Sequence, residues 1–182
     1  IVMVAPNNPT GSLVNEEDAL ALDEIAHEHG LALIVDEVFA DYLLEGPAPA
    51  LRQSFAGATT ASTCFVLSGL SKVLLSPQLK LGWVLVGGPR NDDIMERLSI
   101  IADTFLSVSS PVQIALPALL RARPTIQSEL RARIAHNMNT LARLTADPAC
   151  PARALRPTGG WSALVEVPRV MSEDAWVRAL LA

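Results

Sequence analysis

The hydrophobic pattern along the chain switches repeatedly between two periods. Short apolar runs rich in β-branched residues, at residues 1–5, 31–35, 63–67 and 82–87, have the length of strands. Helical spacing follows several of them. Asn15 with Glu16, Glu17 and Asp18 carries the chemistry of a helix start, Leu20, Ile25 and Ala26 keep a helical spacing, and Gly30 supplies the stop. Further helices are expected at about 92–105, 111–121 and 124–144. The last has an apolar stripe of Leu130, Ile134, Met138 and Leu141 that reads as core packing. A Pro- and Ala-rich loop fills residues 46–50. Strand runs alternating with helices predict an α/β fold with a largely parallel sheet. From Asp147 the character changes to a Pro-rich turn, a strand-like stretch at 162–167 and a helix from near Ser172 still running at Ala182. This predicts the start of a second, smaller domain, and a helix stopping in mid-pattern predicts a longer parent protein.

Composition narrows the function classes. Half of the 182 residues are hydrophobic, enough for a substantial core. A net charge of −5 and a pI near 5.1 lack the basic excess that binding a phosphate backbone requires, so no nucleic-acid partner is expected. Apolar runs fall far short of the ~20 residues that cross a bilayer, so no membrane partner is expected either. Cys64 and Cys150 have no metal-site spacing and suit a reducing, cytoplasmic compartment. The opening Ile-Val-Met-Val reads as a core strand rather than a leader.

In a parallel α/β sheet, ligands bind outside the carboxyl ends of the strands. Three expected strands place polar chemistry there: the first ends in Asn7-Asn8-Pro9-Thr10-Gly11, the second in Asp36-Glu37, the third in Ser68-Gly69-Leu70-Ser71-Lys72. Singly, each has a structural reading: Asn-Pro-Thr-Gly is turn chemistry, Asp36 a cap, Lys72 a solvated lysine at a helix start. Together they bring an amide, a carboxylate, hydroxyls and an amine to one edge. Lysine usage points the same way. Of 14 basic residues only Lys72 and Lys80 are lysines, and an amine does what a guanidinium cannot: it forms a Schiff base.

The order Asn-Pro-Thr-Gly, Asp-Glu-Val-Phe, Ser-Gly-Leu-Ser-Lys and Lys-Leu-Gly-Trp, with its spacing, resembles the fold-type-I aminotransferases of class I/II. The likeness continues through Ser107-Val108-Ser109-Ser110-Pro111-Val112-Gln113 and the turn Pro157-Thr158-Gly159-Gly160. It implies a mostly parallel, three-layer αβα sheet of the pyridoxal-phosphate transferase major domain. Residues 1–122 would form the C-terminal part of that large domain, and 123–182 an inter-domain helix with an incomplete small α+β domain. The implied cofactor is pyridoxal 5'-phosphate and the implied partners are an amino acid and a 2-oxo acid, with a homodimer for the full-length protein.

By the same resemblance Lys72 is the imine lysine, whose work requires the neutral amine. Asp36 pairs with the ring nitrogen. Asn8 donates to the 3' oxygen, with Asn8-Pro9 in the cis form. Ser71 and Ser68 are the hydroxyls for the phosphate. Two positions depart from the family pattern: Phe39 stands where many relatives carry a tyrosine that donates to the 3' oxygen, and Lys80 where many use an arginine on the phosphate. Tyr42, three residues beyond Phe39, is either a replacement donor or a packing residue. Gly69 occupies the place of a familiar serine. Trp161 is read either as approaching the substrate side or as packing at a domain junction. The phosphate-cradling loop, the ring-stacking aromatic and the substrate-carboxylate arginine of relatives fall outside these residues, so the chain alone is expected not to turn over. A carbon–sulfur β-lyase of the same fold and an aminotransferase-like effector domain of a transcription regulator stay open as alternatives.

Overall fold

A computed structural model describes residues 1–44, 51–52, 54–105 and 107–181. The expected loop at 46–50 and the terminal Ala182 lie outside the described residues. Four strands form one sheet in the order β1 (Val2–Val4), β2 (Ala32–Asp36), β3 (Thr63–Gly69) and β4 (Gly82–Gly87). The pairs β1–β2 and β2–β3 are parallel and β3–β4 is antiparallel. Among the described residues no helix is long and apolar enough to cross a membrane.

Helix α1 (Glu16–Glu28) starts where its chemistry predicts: the Asn15 side chain accepts the Asp18 N–H at 2.6 Å, and Gly30 ends the helix at a φ of +62°. The buried residues of α1 are Ala19 and Ala26, whereas Leu20 and Ile25 are exposed. Small side chains let the helix lie close on the sheet, above a core that includes Leu33, Val35, Cys64 and Val66. Midway along the helix, Asp23 accepts from the N–H groups of Ala61 and Ser62 and from the Ser62 hydroxyl, fastening α1 to the segment entering β3.

β3 runs two residues further than its apolar run suggests, through Ser68 and Gly69. The one-turn helix α2 (Leu70–Val73) follows directly, and a 3-10 turn at Pro77–Leu79 leads back into β4. Helices α3 (Asn91–Thr104), α4 (Ser110–Arg121) and α5 (Arg123–Thr145) come next, the last two separated by Ala122 alone. The predicted stripe of α5 faces inward: Ile134 is buried, and Leu130 and Met138 pack with it against Phe39 and Tyr42. A two-stranded antiparallel sheet, β5 (Arg153–Ala154) with β6 (Val165–Glu166), and α6 (Glu173–Leu181) complete the described chain. The strand expected at 162–167 is shortened because its partner is. β5 is two residues long, and past it a single bond from the Leu155 N–H to the Leu164 carbonyl at 2.8 Å continues the contact.

Candidate functional site

The sheet register assembles the site. Because β1, β2 and β3 are parallel, their carboxyl ends share one edge, with Val4 beside Asp36 and Asp36 beside Leu67. Because β4 is antiparallel, its first residues return to that same edge, Gly82 facing Gly69. Asn8, Asp36, Ser71, Lys72 and Lys80 are therefore attached to one rim of one sheet. The Asp36 carboxylate is half-buried, and its Oδ1 accepts the Val38 N–H at 3.0 Å, which fixes the side chain over the turn after β2.

Lys72 is half-buried at the heart of this rim. Its Nζ lies 5.8 Å from the centroid of the Phe39 ring and 5.3 Å from that of Trp161, within range of cation–π attraction to both. The two rings meet edge to face with centroids 4.9 Å apart and planes at 79°. Tyr42, fully buried, backs Trp161 at 5.4 Å and donates its hydroxyl to the Lys72 carbonyl at 2.5 Å. Burial, and secondarily the charge of Asp41, push the Tyr42 hydroxyl above its ordinary pKa, so it stays a donor. Its proton is committed to backbone. The packing alternative for Tyr42 therefore describes it, and Trp161 packs against Phe39 and Tyr42 while also walling the amine.

Two distant turns close the rim. Gly11 has a φ of +69°, and a Cβ there would lie 2.3 Å from the Pro157 Cβ. Only glycine lets the turns come this close. The N–H groups of Thr158 and Gly159 donate to the Gly11 carbonyl at 3.1 and 2.9 Å, and the Gly160 N–H donates to the Tyr42 carbonyl at 2.8 Å. Beyond the turn, the Ser162 hydroxyl donates to Asn8 Oδ1 at 3.2 Å. The dipeptide Trp161-Ser162 thus touches Lys72 with one side chain and Asn8 with the other. Both Ala5-Pro6 and Asn8-Pro9 are cis.

Residues 1–180 match the family described as aminotransferase class I and II. The chain belongs to this family. It is 30% identical over 122 residues to a glutamate–pyruvate aminotransferase of Haemophilus influenzae, covering 66% of this chain and 30% of that protein. With a tyrosine aminotransferase of Dictyostelium discoideum it shares 26% identity over 181 residues, 96% of this chain and 43% of the relative. A solved alanine aminotransferase from Pyrococcus furiosus superposes with a TM-score of 0.79 at 22% identity, over 95% of this chain and 43% of that one. A carbon–sulfur lyase from Staphylococcus hominis does so with a TM-score of 0.75 at 20% identity, over 94% and 42%. The chain thus spans less than half the length of these relatives.

Other positions of this aminotransferase-family chain are placed less centrally. Ser68 is still within β3 and lines a cavity of about 870 Å³ with Glu37, Trp83, Gln113 and Arg123; Asn8, Asp36 and Lys72 do not line it. Ser71 is half-buried in α2. Lys80 is exposed, in a left-handed backbone conformation with a φ of 52° at the end of the 3-10 turn. Gly69 explains itself: a Cβ there would stand 3.0 Å from both the Gly82 Cα and the Leu81 carbonyl oxygen, so a serine needs the β3–β4 crossing to widen.

Sequence reasoning missed Ser162, Asp41 and Gln127. Ser162 followed a recognisable Gly-Gly turn, but its partner lies 154 residues away. Gln127 stands on α5 three residues before Leu130, on the face of the apolar stripe, and its polar side chain broke the hydrophobic pattern there although it is buried like Ile134.

Proposed function

We propose that the protein to which this chain belongs is a pyridoxal-phosphate-dependent aminotransferase that moves an amino group between an amino acid and a 2-oxo acid. The observation that carries the reading is the placement of Lys72: a half-buried amine, held between two aromatic rings, on the same sheet rim as Asp36 and Asn8. These residues fit the cofactor's chemistry. An aldehyde needs an amine, a ring nitrogen that must stay protonated needs a carboxylate, and a phenolic oxygen needs a donor such as the Asn8 amide. Bound there, the cofactor would act as the electron sink for the pair released at the substrate α-carbon.

On this reading Lys72 Nζ is the covalent anchor and, once freed, the base that moves the α-proton. Asp36 holds the ring-nitrogen proton as its counter-charge. Ser162 accepts part of the work of orienting Asn8, since its hydroxyl fixes Oδ1 and leaves the Asn8 NH₂ group to donate elsewhere. Phe39 supplies an apolar face and no proton. Ser71 and Lys80 serve the phosphate, with Ser68 the most remote of the three candidates. Residues 1–122 belong to the large domain and 123–182 to an inter-domain helix and part of the small domain; the complete enzyme is a cytoplasmic homodimer.

The test is product analysis on the full-length protein with an amino acid and pyruvate or 2-oxoglutarate. The new amino acid is expected, and Lys72→Ala should lower its formation by at least about 100-fold. Release of a 2-oxo acid and ammonia with no aminated acceptor would replace the transferase reading with the lyase one. Replacing Phe39 with Tyr should lower the pH at which the visible absorption of the cofactor-loaded protein changes; an unshifted titration would show that this position does not reach the 3' oxygen.

A further inference from the structure

The helix that carries Lys72 cannot satisfy its own carbonyl groups. The carbonyl groups of a helix's last turn lack intrahelical partners, and α2 is one turn long, so most of its four carbonyls need partners from outside it. The Leu70 carbonyl is met by the N–H groups of Leu74 and Ser76, each at 3.1 Å. The carbonyls of Lys72 and Val73 are met by side chains from elsewhere in the chain. Tyr42 donates to the first at 2.5 Å, and Gln127 Nε2 donates to the second at 3.2 Å. Both donors are buried, Tyr42 fully and Gln127 to within 3% of full burial.

The two donors are themselves coupled. The same Gln127 nitrogen donates to Asp41 Oδ2 at 2.6 Å, Arg123 pairs with Asp41 Oδ1, and Arg131 donates to the Asp41 carbonyl at 3.0 Å. Asp41 adjoins Tyr42. Arg123, Gln127 and Arg131 are spaced by four along α5 and so line one face of it, gripping the turn after β2 on one side and α2 on the other. The ring of Tyr42 also backs Trp161, one of the two walls around the lysine amine.

We propose that Gln127 and Tyr42 are positioning residues for Lys72, which clamp the backbone carbonyls of the lysine turn to α5 and to the segment after Asp36 and so set where the amine can reach. The proposal rests on the reading of Lys72 as the reactive amine. Neither residue touches the amine's hydrogen-bonding positions; both act through the turn. Removing either donor leaves a buried carbonyl without a partner, and the turn relaxes toward conformations in which Nζ leaves its aromatic walls.

The experiment uses the full-length protein and two shape-conserving variants, Tyr42→Phe and Gln127→Met. Pyridoxal phosphate is offered to the apo-protein with sodium cyanoborohydride, and the rate of label fixed at Lys72 is read by peptide mass spectrometry. Amide exchange at residues 72–76 is followed alongside, and kcat and KM are measured separately. In each variant, trapping at Lys72 should slow about five- to tenfold, exchange at 72–76 should rise while β2 and β3 stay protected, and kcat should fall more than KM rises. Tyr42→Phe deletes a single oxygen and keeps the test decisive if Gln127→Met does not fold. Unchanged trapping at Lys72, or exchange that rises uniformly through the sheet, would show that the clamp is a stability element only. Absence of label at Lys72 in the unsubstituted protein would instead remove the functional reading itself, and this proposal with it.

Discussion

The rim of the sheet and its flank at β4 are made from the same kinds of residue and end in opposite conditions. At the rim, turn carbonyls, a tyrosine hydroxyl, an amide and a carboxylate all find partners inside the chain, and apolar rings close over the lysine. At the flank, α3 and α4 contain no buried residue among those described, and Leu85, Ile101 and Ile114 stand half or more exposed. Hydrophobic spacing produced a helix in each case. What it does not specify is whether anything covers that helix. Polar contacts at the rim are specific and can be broken singly; the flank presents area, on which one side chain more or less counts for little.

The contrast can be broken most forcefully at Gly11. Gly11→Ala places a methyl 2.3 Å from the Pro157 Cβ at a φ of +69°, and it should cost about 3 kcal/mol in urea-unfolding free energy. A loss under about 0.5 kcal/mol would mean that the two turns are not bound by this contact. Ile134→Ala, beneath the Phe39–Tyr42 cluster, should cost about 2 kcal/mol through the cavity it leaves, read from the same denaturation curve.

A smaller effect is expected at Asp23, which ties α1 to residues 61–62. Burial raises its pKa, but the Ser62 hydroxyl and the N–H groups of Ala61 and Ser62 outweigh it, leaving the carboxyl below its ordinary value of 3.8. A carboxylate whose pKa falls on folding stabilises fully above that ordinary value, and the contribution disappears as pH drops through the lowered one. Melting temperature should thus fall with acid below about pH 4, and Asp23→Asn should flatten that limb. An identical acid limb in the variant would assign the slope to other carboxylates. The smallest change is predicted at Ile114, 80% exposed on α4. Ile114→Ser should shift stability by no more than about 0.5 kcal/mol, and a larger loss on unfolding would show that the flank is covered.

Legibility from sequence followed the range of the interactions. β1 to β4 and α1 were readable because their apolar runs, the Asn15 cap and the Gly30 stop act within a few residues. Asp36 and Lys72 could be placed on one rim because parallel strands bring their carboxyl ends together whatever the side chains. β5 was missed because a strand of two residues is too short to show a period. The outward turn of Leu20 and Ile25 was hidden because period alone does not reveal that two alanines make the closer-packing face. Tyr42, Trp161, Ser162 and Gln127 took their roles from partners 30 or more residues away, a relation that no window along the chain can hold.

The wall that Trp161 gives to Lys72 has a consequence for the order in which the molecule is made. Synthesis proceeds from the N-terminus, so the lysine leaves the ribosome well before the tryptophan that will shelter it, and closing so long a loop is slow compared with local helix formation. Throughout that interval the Trp161 wall is not yet present beside the amine. Chains truncated before Pro157 should leave Lys72 open to an amine-modifying reagent that chains extending past Ser162 resist, which makes enclosure of this amine a late event in the protein's biogenesis.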